Sequence, residues 1–131
     1  MAQLQGKSST DGGRLDGSVQ KTTLAASHFA LGAGWGGSSL TVTAGSTDQR
    51  GEIVITAATG GGLAQATATI TMTYADGAYA AAPWTVAAVT STSAVDEGHL
   101  ICVNTTTTLT MTYSVLPVNT KVYTIRWHTI A

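Results

Sequence analysis

Three charged residues, Asp48, Arg50 and Glu52, stand within five positions in the stretch AGSTDQRGEIVITAATGGG, residues 44 to 62. The chain has only six basic and seven acidic residues in 131 positions, so such a grouping asks for a reason. Carboxylates beside a guanidinium suit a catalytic site, a binding site or a structural clamp. Gly45 and Gly51 bracket Asp48 and Arg50, and the group lies between two alternating segments and therefore reads as a turn. In a turn, Asp48 and Arg50 bond side chain to side chain, and Asp48 also caps neighbouring backbone N–H groups. On the surface that pair contributes about 0–1 kcal/mol. Buried at a subunit contact it would fix register, and losing Arg50 would cost about 3–5 kcal/mol. Arg50→Ala is therefore expected to destabilise the domain or its oligomer.

The other reactive side chains are scattered. Asp96 and Glu97 adjoin, but neighbours on a strand point to opposite faces. Carboxylates at glycosidase separation remain open only between distant positions. His28, His99 and His128 show neither HxH nor HExxH spacing, so no metal site is expected. DGGRLDG, residues 11 to 17, lacks the regular oxygen donors of a calcium loop. TGGGLA, residues 59 to 64, lacks the Lys-Ser/Thr of a phosphate loop. No Gly-x-Ser-x-Gly elbow occurs. Cys102, the only cysteine, lies in the apolar run HLICV and reads as a buried, inert thiol that cannot form an intrachain disulfide. Of three tryptophans, Trp84 and Trp127 lie in alternating segments and are expected in the core. Trp35 lies among glycines and is the best exposed candidate for stacking on a ligand. The expectation is a chain with no catalytic residues and no cofactor.

The elements that would position these residues have a period of two. SSLTVTA, EIVITA, ATATITMTY, PWTVAAVTS, HLICVN, TTLTMTY and KVYTIRWHT alternate large apolar residues with threonine or other polar residues, or run apolar, between Gly-, Asp- and Asn-rich breaks. About seven strands with no convincing helix predict an all-β antiparallel sandwich or jelly-roll-like domain. Residues 38–131 form that domain. Residues 25–37 read as a Gly-rich linker folded onto it, beginning with one helical turn. Residues 1–24 are polar, with five charges and few large apolar residues, and read as an extended N-terminal arm. TATITMTY at 67–74 matches TTTLTMTY at 106–113 at six of eight positions. This is either an ancestral duplication or the shared pattern of half-buried sheets, and sheet physics alone suffices for the second.

Only 10% of residues are charged, against about 25% in an average chain. Twenty-four threonines can hydrate a sheet face without charge, and small apolar residues suit contacts between subunits. A net charge of −1 argues against nucleic acid and anionic membranes, since both attract a basic field. There is no run of about 18 apolar residues to span a bilayer. The start MAQLQGKSSTDGG lacks an apolar signal region, so synthesis in a cytoplasm is expected.

GWGGSSLTVTAGSTDQRGEIVITAATG, ATITMTYADGAYAAAPWTVAAV and the closing TIRWHTI together resemble a β-domain recurrent in virion proteins of tailed bacteriophages. In that family a Gly-Trp-Gly element leads into a Ser-x-Asp-x-Arg-Gly turn. An alternating strand ends in Ala-Asp-Gly, and an aromatic-rich strand closes the domain. Ser46, Asp48, Arg50 and Gly51 match the first motif, and Ala75, Asp76 and Gly77 match the second, over roughly residues 32–131. The resemblance implies a structural or binding role without catalysis, as in trimeric capsid decoration (cement) proteins or modules at fibre tips. It would make the partners copies of this chain, as a trimer, and the phage major capsid protein, with the outer capsid surface as location. The alternative is a receptor- or glycan-binding fibre tip. The chain is nearly all domain, with a short arm and no fibrous repeat, which suits decoration better than a fibre.

Overall fold

A strand that alternates apolar residues with threonine has one face that water rejects, and two such sheets bury those faces by closing on each other. The computed structural model, which describes residues 22–59, 62–64, 67–91 and 98–131, solves the problem in this way. After a single 3-10 turn at Ala26–His28 come eight strands among the described residues. They are β1 Phe29–Leu31, β2 Ser39–Val42, β3 Arg50–Thr56, β4 Thr69–Thr73, β5 Trp84–Ser91, β6 Leu100–Asn104, β7 Thr108–Tyr113 and β8 Val122–Ile130. Sheet one has the order β1-β4-β7-β6, and sheet two the order β2-β3-β8-β5. Every pairing is antiparallel. The chain is an all-β sandwich.

The two orders are one order read twice. β1 runs on into β2, β3 into β4, β5 into β6 and β7 into β8, each passing from one sheet to the other. The strands of one sheet are thus continued by those of the other in the same order. Among the described residues, the corners 32–38 and 114–121 lie at one end of the sandwich. The hairpin loops 43–49 and 105–107, and the crossing 74–83, lie at the other. Glycine supplies two of the corners, where backbones must approach. Gly32 and Gly34 donate to the carbonyls of Thr69 and Thr67, and Ala64 donates back to Gly34. Another corner is pinned by Val118 N–H, which donates to Tyr123 Oη at 2.8 Å.

The core lies between β3 and β8 on one side and β4 and β7 on the other. Ile53, Ile55, Tyr123 and Ile125 meet Ile70, Met72, Leu109 and Met111, all fully buried. These are the inward faces that the alternation marks. Threonines fill the outward positions of β4 and β7, and Thr69, Thr71 and Thr73 stand opposite Thr112, Thr110 and Thr108. The two echoing segments prove to be partners: Met72 pairs with Leu109 and Ile70 with Met111. β4 is entered by a corner and left by a loop, whereas β7 is entered by a loop and left by a corner. Their connections are not those of a repeated unit, so shared burial accounts for the likeness.

Two expectations change. Phe29–Leu31, read as linker, is an edge strand of sheet one; three residues are too few for alternation to show. The start of the domain also reaches back into the expected arm. Leu24 is buried, and its N–H donates to Ser46 O at 2.8 Å. Residues 1–21 lie outside the described residues, as do Asp96 and Glu97.

The register makes a direct prediction. Leu109→Ala, in the centre of the core, will lower stability by about 2–5 kcal/mol. Thr110→Ala, one position along and facing outward, will cost less than about 1 kcal/mol. Chemical denaturation of both variants measures the difference; equal losses would contradict the facing.

Candidate functional site

The charged cluster of residues 48 to 52 is divided by the start of β3. Asp48 lies in the β2–β3 loop, whereas Arg50, Gly51 and Glu52 belong to the strand and alternate across it. Asp48 does not pair with Arg50. Its carboxylate is 2% exposed and accepts two backbone hydrogen bonds from the β4–β5 connection. Ala75 N–H donates to Oδ1 and Asp76 N–H to Oδ2, each at 2.8 Å. The aspartate therefore caps backbone some 27 residues away rather than in its own turn. A buried carboxylate is stable only with such donors. Asp76 in turn accepts from Thr22 N–H at 3.0 Å, which ties the beginning of the described chain to the same loop. Gly77 follows with φ +95°, a conformation that favours glycine and lets the loop reverse after the clamp.

Ser46 completes the loop. Its hydroxyl donates to Thr43 O at 2.7 Å and accepts from Glu52 N–H at 3.0 Å. Gly51 faces inward against Trp127, its cross-strand partner. A Cβ at residue 51 would meet Trp127 Cζ2 and Ser46 Cβ at 2.6 Å each, so only glycine fits. The indole seated there donates through Nε1 to Thr47 O at 3.2 Å and lies against Phe29. Trp127 is thus a core residue and not a ligand platform.

Glu52 and Arg126 stand directly opposite on the outer face of sheet two, with Arg126 Nε donating to Glu52 Oε2 at 2.7 Å. Thr43 Oγ1 donates to Oε1 at 2.6 Å. The Thr43 hydrogen bond, then Arg126, hold the Glu52 carboxyl below its ordinary value, against a partial opposing effect of desolvation. Arg50 is exposed, and among the described residues it forms no ion pair.

The tryptophans exchange their expected places. Trp35, the expected exposed one, has 0% exposure and packs between Tyr113 and Tyr123 at centroid distances of 6.0 and 5.4 Å. Its flanking glycines let the backbone turn so that the ring enters the corner of the core. Trp84, expected inside, is 81% exposed. It opens β5 on the outward phase of the strand, opposite Ile130.

Sequence reasoning missed a polar network at the loop end. Asn104 Nδ2 donates to Tyr74 Oη and Thr85 Oγ1, both at 2.8 Å, and Thr85 Oγ1 bonds Thr129 Oγ1 at 2.8 Å. Tyr74 also stacks edge-on with Tyr79 at 4.8 Å. Burial first, then the charge of Asp48, pushes the Tyr79 phenol up to about 12. Nothing in the spacing of these residues announces the network, because it depends on three strands meeting. His28 bonds within its own turn, His99 bonds Ser114, and His128 lies on the outer face of sheet two. Among the described residues, no three His, Cys, Asp or Glu side chains are grouped to hold a metal ion. Cys102 is half-buried, and burial raises its thiol pKa, which disfavours the nucleophilic thiolate.

No family model matches this chain, and no curated protein or solved structure matches it.

Asp48→Ala will leave two inward N–H groups without acceptors and lower stability by about 2–4 kcal/mol. Arg50→Ala will change it by no more than about 0.5 kcal/mol. Thermal melts of both variants reverse the expected importance of these residues, or restore it. A pH series tests Glu52. Its folded-state pKa is lowered, so its contribution is present above the unfolded value near 4.5 and fades as pH falls through the folded value. The stability gap between the parent and Glu52→Gln will therefore shrink as pH is lowered from 7 to 3. A gap that stays constant would remove the ion pair from the account.

Proposed function

We propose that this chain is a structural protein of a tailed-bacteriophage virion, one that decorates and stabilises the outer capsid surface as a trimer. One observation carries the reading. The two sequence motifs of the virion β-domain pattern, Ser46-x-Asp48-x-Arg50-Gly51 and Ala75-Asp76-Gly77, meet through the Asp48 carboxylate. Motifs that are separate in sequence but joined as one structural device are what a shared domain design requires. The sandwich itself supports the reading more weakly, since sandwiches serve many functions.

In this proposal the activity is mechanical and involves no catalysis or cofactor. The chain is made in the host cytoplasm and acts on the virion, with neither nucleic acid nor membrane as partner. Trimers bind the assembled lattice of the major capsid protein and not its unassembled subunits. Binding to one state stabilises that state by mass action, so a decorated shell withstands more heat or internal pressure. The residues before Thr22 would serve as the arm that reaches a neighbouring chain.

A second reading is a receptor- or glycan-binding module at a fibre tip. The observation favouring it is Trp84, which offers an exposed ring at the start of β5, opposite Ile130. Labelling virions with an antibody to this chain separates the two: signal over the capsid supports decoration, and signal at the tail supports the fibre tip. Native mass spectrometry of the purified protein will give a trimer, and the protein will sediment with expanded capsids. A monomer that leaves capsids bare would sink the decoration reading. Deleting residues 2–21 will weaken capsid binding while leaving the thermal melt of the domain unchanged; undiminished binding would remove the arm from the mechanism.

A further inference from the structure

Charge distinguishes the outer faces of the two sheets. On sheet one, three pairs of threonines stand on the outer side of β4 and β7, with Ile101 and Val103 of β6, both more than half exposed, beside them and no charged side chain among these strands. On sheet two, the outward pairs of β5 and β8 are Trp84 opposite Ile130, Val86 opposite His128, Ala88 opposite Arg126, and Thr90 opposite Thr124. Trp84, Val86 and Ile130 are all more than half exposed. β3 adds Arg50 opposite His128 and Glu52 opposite Arg126. The small Ala88 leaves an open depression of about 280 Å³ walled by Val86, Arg126 and His128. An apolar stripe thus runs along one edge of the face, beside two arginines and a histidine.

We infer that this face docks an acidic protein surface, with Trp84 as its apolar anchor, Arg50 and Arg126 as its charged rim and His128 as a polar neighbour. The identity of that partner as the capsid rests on the decoration reading; the chemistry of the face does not. Charge selects the occupant. Two arginines and a histidine share the face with a single carboxylate, Glu52, on a chain whose net charge is −1. Glu52 is already engaged by Arg126, and among the described residues Arg50 and His128 form no ion pair. A second copy laid on this face about a two-fold axis would set the arginines against themselves. A partner that presents carboxylates around an apolar centre satisfies both halves of the face. Tryptophan and arginine are the side chains most enriched where binding energy concentrates. β5 is also an edge strand with no charged side chain, a kind of edge that proteins usually shield.

Trp84 provides its own reporter, because Trp35 and Trp127 are 0% and 3% exposed. Acrylamide quenching of tryptophan emission therefore reads this face. The full chain is mixed with expanded capsids of the phage that carries its gene. Docking will protect Trp84 from acrylamide, and Trp84→Ala will weaken binding about tenfold or more. Arg50→Gln will weaken binding at low salt and have much less effect at high salt, where charge is screened. Bound protein whose Trp84 stays fully quenchable overturns this face and leaves the decoration reading standing. Absence of any capsid binding overturns the decoration reading instead, and the face is then decided by a soluble peptide of alternating glutamate and leucine. Salt-reversible protection of Trp84 by that peptide upholds the inference, and absence of protection overturns it. Protection by a polysaccharide in place of the peptide, or by raising the concentration of this chain alone, also overturns it, in favour of a glycan or a second copy.

Discussion

The buried carboxylate of Asp48 organises the loop end of this sandwich. Burying a charge without partners is costly, so its two backbone hydrogen bonds are a condition of the fold and not an addition to it. They fix the β4–β5 crossing, which moves the chain from sheet one to sheet two, against the β2–β3 hairpin of sheet two. Once those loops are locked, the rest of that end has somewhere to attach. Thr22 N–H reaches Asp76, Leu24 N–H reaches Ser46 O, and the Trp127 indole reaches Thr47 O. Gly51 allows that last approach by having no side chain to occupy the space of the ring.

The other end is held differently. The corners rely on close backbone approach and on aromatic rings, with Trp35 between Tyr113 and Tyr123 and those two rings 5.2 Å apart. Among the described residues the Trp35 indole N–H has no hydrogen-bond acceptor, and the ring contributes there by filling volume. One end is thus organised around a buried carboxylate, and the other by close backbone hydrogen bonds together with packed aromatic rings. Bending long strands over at glycines makes the contrast intelligible. A corner needs slack and filling, whereas a loop that crosses between sheets needs an anchor.

Much of this was legible from alternation. Ile53 and Ile55, Ile70 and Met72, Leu109 and Met111, and Tyr123 and Ile125 are core residues that a period of two places on one face. Strand order was not legible, because pairing β3 with β8 and β4 with β7 depends on contacts distant in sequence. The reversal of Trp84 and Trp35 shows a second limit. Phase within β5 is weakly marked, since Val86, Ala87, Ala88 and Val89 are apolar on both faces. Trp35 has no strand period at all, so only the corner geometry reveals its burial. The cluster of Asp48, Arg50 and Glu52 misled for a similar reason. Proximity in sequence suggested mutual pairing, whereas strand geometry sends Arg50 and Glu52 outward and leaves Asp48 to the backbone of another loop.

A chain with so few charges has to place each one where it decides something. Asp48 is buried in a structural role, and Glu52 is held by Thr43 and Arg126 on the outer face of sheet two. What distinguishes the remaining surface is then a contrast between faces. Threonines on sheet one can stay hydrated without attracting a particular partner, because a hydroxyl bonds water as readily as protein. On sheet two, a tryptophan and two branched aliphatic side chains lose little by leaving water, and the cations beside them restrict which surface can replace it. Selectivity in such a molecule comes less from a cavity than from what surrounds its exposed apolar side chains. Ile101 and Val103 on sheet one stand among hydroxyls, whereas Trp84, Val86 and Ile130 on sheet two share their face with Arg50 and Arg126.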